Sequence, residues 1–358
     1  MMSPAEVRFW LQGALRHMQQ MKRRTFLGTV AAAGLTAELT AKRAAATPAM
    51  AVVEKKAGKV AFYTTSGIRL SEVKVGIFPH EMAWSPDRRL LFVTDNGLLW
   101  MTDTGEGSNT ISVIDAAARR KVGIIDLGIY HRPHGIAVLP KGQLIVTIEN
   151  PNGLLLIDPV ARKVLRKYEV GGEHPHMVLL GPKAETAWAS NTNSAEVAVI
   201  NLASGEVEKR IPTGRNPQGG VITKDGNWIY LTNNASNTIS VIDTNERAVT
   251  GDIKTGNGPA RIALTPDEQT LAYNLQAGEA VGFADVRTRT ETSRIKLPGR
   301  PLSLALSTDG RIAYLGLQDS DKIAIVSVPD RKIIGVIDTP AGAGPDTVLP
   351  LELAEVHD

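Results

Sequence analysis

The chain has 358 residues, a formal net charge of +3, 43% hydrophobic and 22% charged residues, and no cysteine. So small a net charge, with Lys and Arg scattered rather than gathered in a stripe, argues against a nucleic-acid partner. Without Cys there is no disulfide framework, no thiolate zinc site and no Cys-x-x-Cys-His haem attachment, and the composition suits an exported protein that avoids oxidative pairing errors.

Residues 1–20 match nothing else in the chain, and one reading of them is an over-long gene start before an initiator at Met21. From Met21 a charged start (Lys22-Arg23-Arg24-Thr25-Phe26-Leu27) runs into a short apolar stretch, Gly28 to Leu39, and then into small residues around Ala44-Ala45-Ala46. That order predicts a secretory signal over residues 21–51, with the mature chain beginning between Thr47 and Val52. The Arg-Arg-x-Phe-Leu string resembles a twin-arginine signal. The apolar stretch is too short for a transmembrane span and is interrupted by Glu38, so the expected location is periplasmic or secreted.

Beyond the signal the chain repeats itself. Asn109 to Asp115 and Asn237 to Asp243 are the same seven residues, Asn-Thr-Ile-Ser-Val-Ile-Asp, alternating apolar and polar as a half-buried strand does. Each copy lies in a unit of four short apolar runs separated by Gly, Asn, Asp and Pro turns. The glycines that close the units are Gly76, Gly128, Gly172, Gly214, Gly256, Gly299 and Gly342, spaced by 42 to 44 residues except for a first interval of 52. The excess falls at Gly97 to Gly107. Four strands per unit of roughly 40–45 residues is the pattern of a β-propeller blade. Six whole units run from Gly76 to Gly342. The remnants, Lys59 to Gly76 and Gly344 to about Glu355, are expected to join as half-blades into a seventh. The predicted fold is therefore all-β: a seven-bladed propeller over residues 59–358, with four-stranded blades and a ring closed by both termini.

Phe92-Val93-Thr94-Asp95-Asn96, Leu231-Thr232-Asn233-Asn234 and the Ser-Val-Ile-Asp strands resemble the YVTN-repeat family of seven-bladed propellers. The resemblance covers nearly the whole mature chain and implies the fold. It is weak for function, because propellers host unrelated chemistries. Architecturally similar proteins include surface-layer repeat proteins, virginiamycin B lyase, sugar-acid lactonases and the heavy chain of amine dehydrogenases.

Each blade opens with a Pro and then one variable residue: His80, His134, His176, Gln218, Ala260, Leu302 and Asp346. Equivalent repeat positions lie at one height and radius, so these seven are expected to ring one mouth of the central channel. Three consecutive blades place His there, and His131 and His174 flank them, so five of the seven histidines converge on one rim. Imidazole is the commonest metal ligand and the natural acid or base near neutral pH. The five are candidate ligands of a divalent transition metal, with Glu81, Glu149 and Glu173 as candidate carboxylate partners. The competing reading is structural: Pro-His-Gly is common at blade starts in the family it resembles, where the imidazole packs and caps the strand end. The Asp residues of the Pro-Asp and Asp-Gly turns, and Asp115, Asp158, Asp243 and Asp285, are expected to stabilise turns rather than to act chemically.

Function is thus expected to be that of an exported binding propeller, with a histidine-rich ligand or metal site for a small-molecule or protein partner at the channel mouth. The alternatives are a channel-mouth enzyme, a metal-assisted hydrolase or lyase of lactonase or streptogramin-lyase type, and a periplasmic redox partner.

Overall fold

The computed structural model describes residues 48–181 and 183–351. The leader assigned to residues 21–51 lies outside them up to Thr47. Among the described residues there are seven four-stranded antiparallel sheets. The first blade comprises strands Pro79–Trp84, Leu90–Asp95, Thr110–Asp115 and Arg120–Asp126. Blades two to six follow in order, opening with His131–Val138, Pro175–Leu180, Pro217–Ile222, Pro259–Leu264 and the short Ala305–Leu306. Apart from two 3-10 turns, Thr192–Ser194 and Gln318–Ser320, the described elements are strands. No described helix is long and apolar enough to cross a membrane.

The seventh blade closes the ring with both ends of the chain, but the division differs from the two-plus-two expected. Strand Pro345–Pro350 lies innermost, and Met50–Glu54, Lys59–Tyr63 and Arg69–Lys74 follow outward. Met50–Glu54 pairs with Pro345–Pro350 on one side and Lys59–Tyr63 on the other. All five of its residues are buried. The propeller thus begins at Met50 rather than Lys59, with one strand from the C-terminal side and three from the N-terminal side.

Burial explains the strand types. Second strands such as Leu90–Asp95 are sandwiched between neighbouring blades and buried along nearly their whole length. Outermost strands such as Thr290–Lys296 face water on alternate residues. The core is a set of inter-blade layers: Phe92, Ile111 and Val113 of the first blade pack on Leu144, Val146 and Ile148 of the second.

The turn aspartates behave as expected. Asp87, Asp225, Asp267 and Asp309 each accept the hydroxyl of the Ser or Thr two residues earlier, at 2.6 Å. Asp115, Asp158, Asp243 and Asp285 accept backbone N–H groups in the turn that follows them.

Candidate functional site

The inner strands carry a break in register just after the Pro that opens each blade, between Pro79 and Met82, Pro133 and Ile136, and Pro175 and Val178. The backbone groups freed there are taken up by the hydroxyl of the second strand. Thr147 accepts from Gly135 N at 2.7 Å and donates to His176 O of the next blade at 2.9 Å. Thr94 does the same for Glu81 N and His134 O. Ser190 and Thr232 serve Gln218 O and Ala260 O. The repeated Thr is therefore a blade-to-blade clamp, and its acceptor is the backbone of the ring position itself. Thr147→Val keeps the shape and leaves two buried backbone groups without partners, a loss of about 2–4 kcal/mol. Denaturant titration against wild type measures it, and a loss below half a kcal/mol would remove the clamp from the account.

The ring places the histidines together. His80 and His134 have ring centroids 4.1 Å apart, and His134 and His176 are 3.8 Å apart. His134 and His176 are only 3% and 4% exposed, so they sit inside the channel and not on an open rim as expected. The inner strands run side by side, and each imidazole covers the next. Glu149 joins them from the second strand of blade two. Its Oε1 is 3.2 Å from His174 Nε2 and 3.9 Å from His176 Nδ1, while its Oε2 takes Arg132 Nη2 at 2.9 Å. His134, Glu149 and His176 can each offer one ligand atom, all within 4.8 Å of one another.

The remaining candidates divide. His174 supports Glu149 and lies 6.2 Å from the His176 ring. His131 does not join the cluster: its Nε2 is 3.4 Å from Glu106 and its Nδ1 is 3.4 Å from Gly107 O, both in the 97–107 insert. Glu173 is exposed. Glu81 is committed across the channel to Arg261 of the fifth blade, at 2.6 Å. Asp346 lies between Lys55 at 3.4 Å and His80 at 3.3 Å. Arg132, Arg261 and Lys55 are site residues that the sequence reading did not single out. The register of Arg132 and Arg261 against the ring positions was the available signal: one directly precedes a blade-opening Pro and the other directly follows Ala260.

Burial sets the charge states. It pushes His80 and His134 well below the ordinary imidazole value; Lys55 and Arg261 add to this at His80, and the neighbouring imidazoles add to it at His134. Burial takes His176 down to about 4, partly opposed by Glu149. At Glu149 burial alone would raise the carboxyl, but the adjacent imidazoles of His174 and His176 overcome it and hold it at about 2. With His176 neutral near pH 7, Arg132 is the charge that balances Glu149. Burial raises Asp346 and lowers Lys55, so that pair too is held against its preference for water.

Above the cluster lies a cavity of about 310 Å³. The insert between the second and third strands of blade one supplies part of its wall, through Leu98, Trp100 and Met101. His80, His134, Glu149 and His176 face it on one side.

The fold is shared with solved structures of low identity. A functionally unknown protein from Desulfotomaculum acetoxidans is 14% identical, with a TM-score of 0.72 over 85% of this chain and 99% of that one. The periplasmic gluconolactonase of Pseudomonas aeruginosa is 16% identical, with a TM-score of 0.69 over 86% of this chain and 100% of that one. The dihydro-heme d1 dehydrogenase NirN is 16% identical, with a TM-score of 0.64 over 85% of this chain and 75% of that one. At these identities the likeness establishes architecture alone. No protein of curated function matches the sequence. The profile of one family spans residues 30–355, which takes in all seven blades, and the chain belongs to that family, the YNCE-like beta-propellers.

Proposed function

We propose that this is an exported binding propeller that holds a divalent transition metal in its channel, with His134, Glu149 and His176 as ligands. The observation that carries this reading is the state of His176: both ring nitrogens are buried without a hydrogen-bond partner, as is Nδ1 of His134. Buried polar atoms are seldom left so, because each costs about 1–3 kcal/mol. Burial also keeps these imidazoles neutral near pH 7, the state a metal requires. Two His and one carboxylate form a recurrent donor set for zinc and non-haem iron, with positions left open. Ligands of a tetrahedral ion stand about 3.4 Å apart at metal–nitrogen distances near 2.1 Å. A contraction of little more than an ångström closes the set around an ion. Arg132 and His174 on Glu149 supply the outer contacts that orient a metal-bound carboxylate.

Binding is favoured over hydrolysis by the carboxylates. Glu149 is a ligand in this scheme, Glu81 is tied to Arg261, and Asp346 lies against Lys55. No carboxylate near the triad is therefore free to serve as general base among the described residues. The test is elemental analysis of untagged mature protein, followed by zinc titration of the chelator-treated form. One equivalent that resists dialysis supports the reading, and less than a tenth of an equivalent ends it.

Export rests on the leader. Cleavage after Ala46 leaves strand Met50–Glu54 whole, whereas cleavage after Ala51 would take its first two residues. Replacing Arg23 and Arg24 together by Lys will hold the precursor in the cytoplasm. Cell fractionation reads this out, and undiminished export of the variant would reassign the leader to the general secretory type.

A further inference from the structure

We infer that the cavity under the insert binds a small hydroxycarboxylate, its carboxylate gripped by Arg300 and its other end reaching the metal triad. The second contact rests on the metal reading above; the first does not.

Arg300 is where the repeat departs from itself. In six blades the residue before the opening Pro is left-handed: Phe78 (φ 41°), Arg132 (58°), His174 (58°), Asn216 (57°), Gly258 (73°) and Gly344 (60°). Arg300 holds the same place in blade six without a positive φ, and the inner strand that follows it is reduced to Ala305–Leu306. Its guanidinium lies 5.2 Å over the Trp100 ring, at the cavity wall.

Its charge is also uncompensated. The other cations around the channel each face a carboxylate: Lys55 faces Asp346, Arg261 faces Glu81 and Arg132 faces Glu149. Among the described residues no carboxylate pairs with Arg300, and none of its donors makes a hydrogen bond to the protein. A half-buried guanidinium lying over an aromatic face presents its fork to a planar anion.

The wall beside it determines what else the anion carries. Gln218 gives its Nε2 to Asn216 Oδ1, and among the described residues Gln218 Oε1 and Asn216 Nδ2 have no hydrogen-bond partner. Asn234 Nδ2 donates to Gln276 Oε1 at 3.4 Å, and among the described residues Gln276 Nε2 has no acceptor. The cavity lining thus offers both unused donors and unused acceptors. Hydroxyl groups suit that pattern because each both donates and accepts. The volume of about 310 Å³ admits roughly ten water-sized groups at about 30 Å³ each. The insert keeps the ligand in place. It leaves the first blade, approaches Gln218 of the fourth through Met101 Sδ at 4.0 Å, and meets the sixth through Trp100.

Calorimetry with tartrate tests the inference on zinc-loaded and chelator-treated protein. The uncharged four-carbon tetrol erythritol and inorganic phosphate serve as controls. Tartrate should bind both forms, more tightly with zinc. Arg300→Gln should weaken it by about tenfold or more in both forms, with zinc content unchanged. Gln276→Leu should weaken tartrate but not succinate, and it tests the wall independently should Arg300→Gln fold poorly. The inference is overturned if Arg300→Gln binds tartrate as wild type does, or if erythritol or phosphate binds equally well. Arg300-dependent tartrate binding by a protein that retains no zinc would sink the metal reading and uphold the carboxylate grip. Zinc retention without tartrate binding would do the reverse.

Discussion

His134→Phe will fold and will lose its metal. The His134 ring is wedged between His80 at 4.1 Å and His176 at 3.8 Å and is almost wholly buried. A phenyl ring occupies the same slot with no nitrogen to offer, and the overpacking by its larger ring should cost about 1–3 kcal/mol. Loss of one of three ligands should weaken zinc binding by at least about two orders of magnitude, beyond the roughly 10–100-fold attributable to a supporting group. His134→Ala is the contrasting variant. It opens a cavity between two imidazoles and should cost about 2–4 kcal/mol as well as the metal. The sequence reading placed His134 on the rim of the channel mouth; at 3% exposure it is instead part of the packing, so its removal costs stability too. Zinc titration and thermal melting of both variants separate the roles. Full zinc affinity in His134→Phe would make the ring of histidines a packing device.

The fold was legible because duplication is written in the chain. The twice-used Asn-Thr-Ile-Ser-Val-Ile-Asp strand and the spacing of the closing glycines sufficed for seven blades. Strand Met50–Glu54 was missed for a physical reason. Buried on both faces, it is apolar from Met50 to Val53 and lacks the alternation that marks a half-buried strand, and it adjoins an Ala-rich stretch of similar composition. The ring of His80, His134 and His176 followed from equivalence alone, since equal repeat positions must share a height and radius. Glu149 was only one of three candidate carboxylates. It lies in a different strand, and its nearness to His176 depends on how blades two and three pack. His131 shows the converse limit: it flanks the ring in sequence, yet the insert draws it to Glu106 and Gly107.

The clamp changes how the repeat itself is understood. Thr94 and Thr147 hold the carbonyls of His134 and His176, so the signature by which the fold is recognised also fixes the backbone that carries the candidate ligands. Side chains at the ring positions can therefore vary from blade to blade while their Cα positions stay constant. Gln218, Ala260, Leu302 and Asp346 complete the ring without histidine, which leaves the imidazoles grouped on one side, beside Glu149.

Acid will destabilise the metal-free protein well above the range in which carboxylates titrate. His176 ionises near its ordinary value of about 6.5 when unfolded and near 4 when folded. Between those values the unfolded chain binds a proton that the folded chain refuses, so stability present above about pH 6.5 is lost as pH falls toward 4. By pH 5 the loss from His176 alone is about 2 kcal/mol. His80 and His134 shift in the same direction and add to it. The groups facing them contribute little to this window. Glu149 stays ionised to about pH 2. Asp346, raised by burial, opposes the trend only where it takes up its proton. Bound zinc should protect, because it occupies the same nitrogens until protons displace it. The loss of metal should therefore come below the pH of 6.5 expected for an ordinary imidazole. Melting curves at pH 7 and pH 5, with chelator and with zinc, measure both effects. His176→Gln is the decisive variant, since it keeps a neutral polar side chain and cannot titrate. Its loss of stability between pH 7 and pH 5 should be smaller than that of wild type by about 2 kcal/mol, or roughly 3 °C in melting temperature. An unchanged slope would mean that His176 takes up its proton in the folded channel without penalty, and the neutral-ligand argument would fall with it.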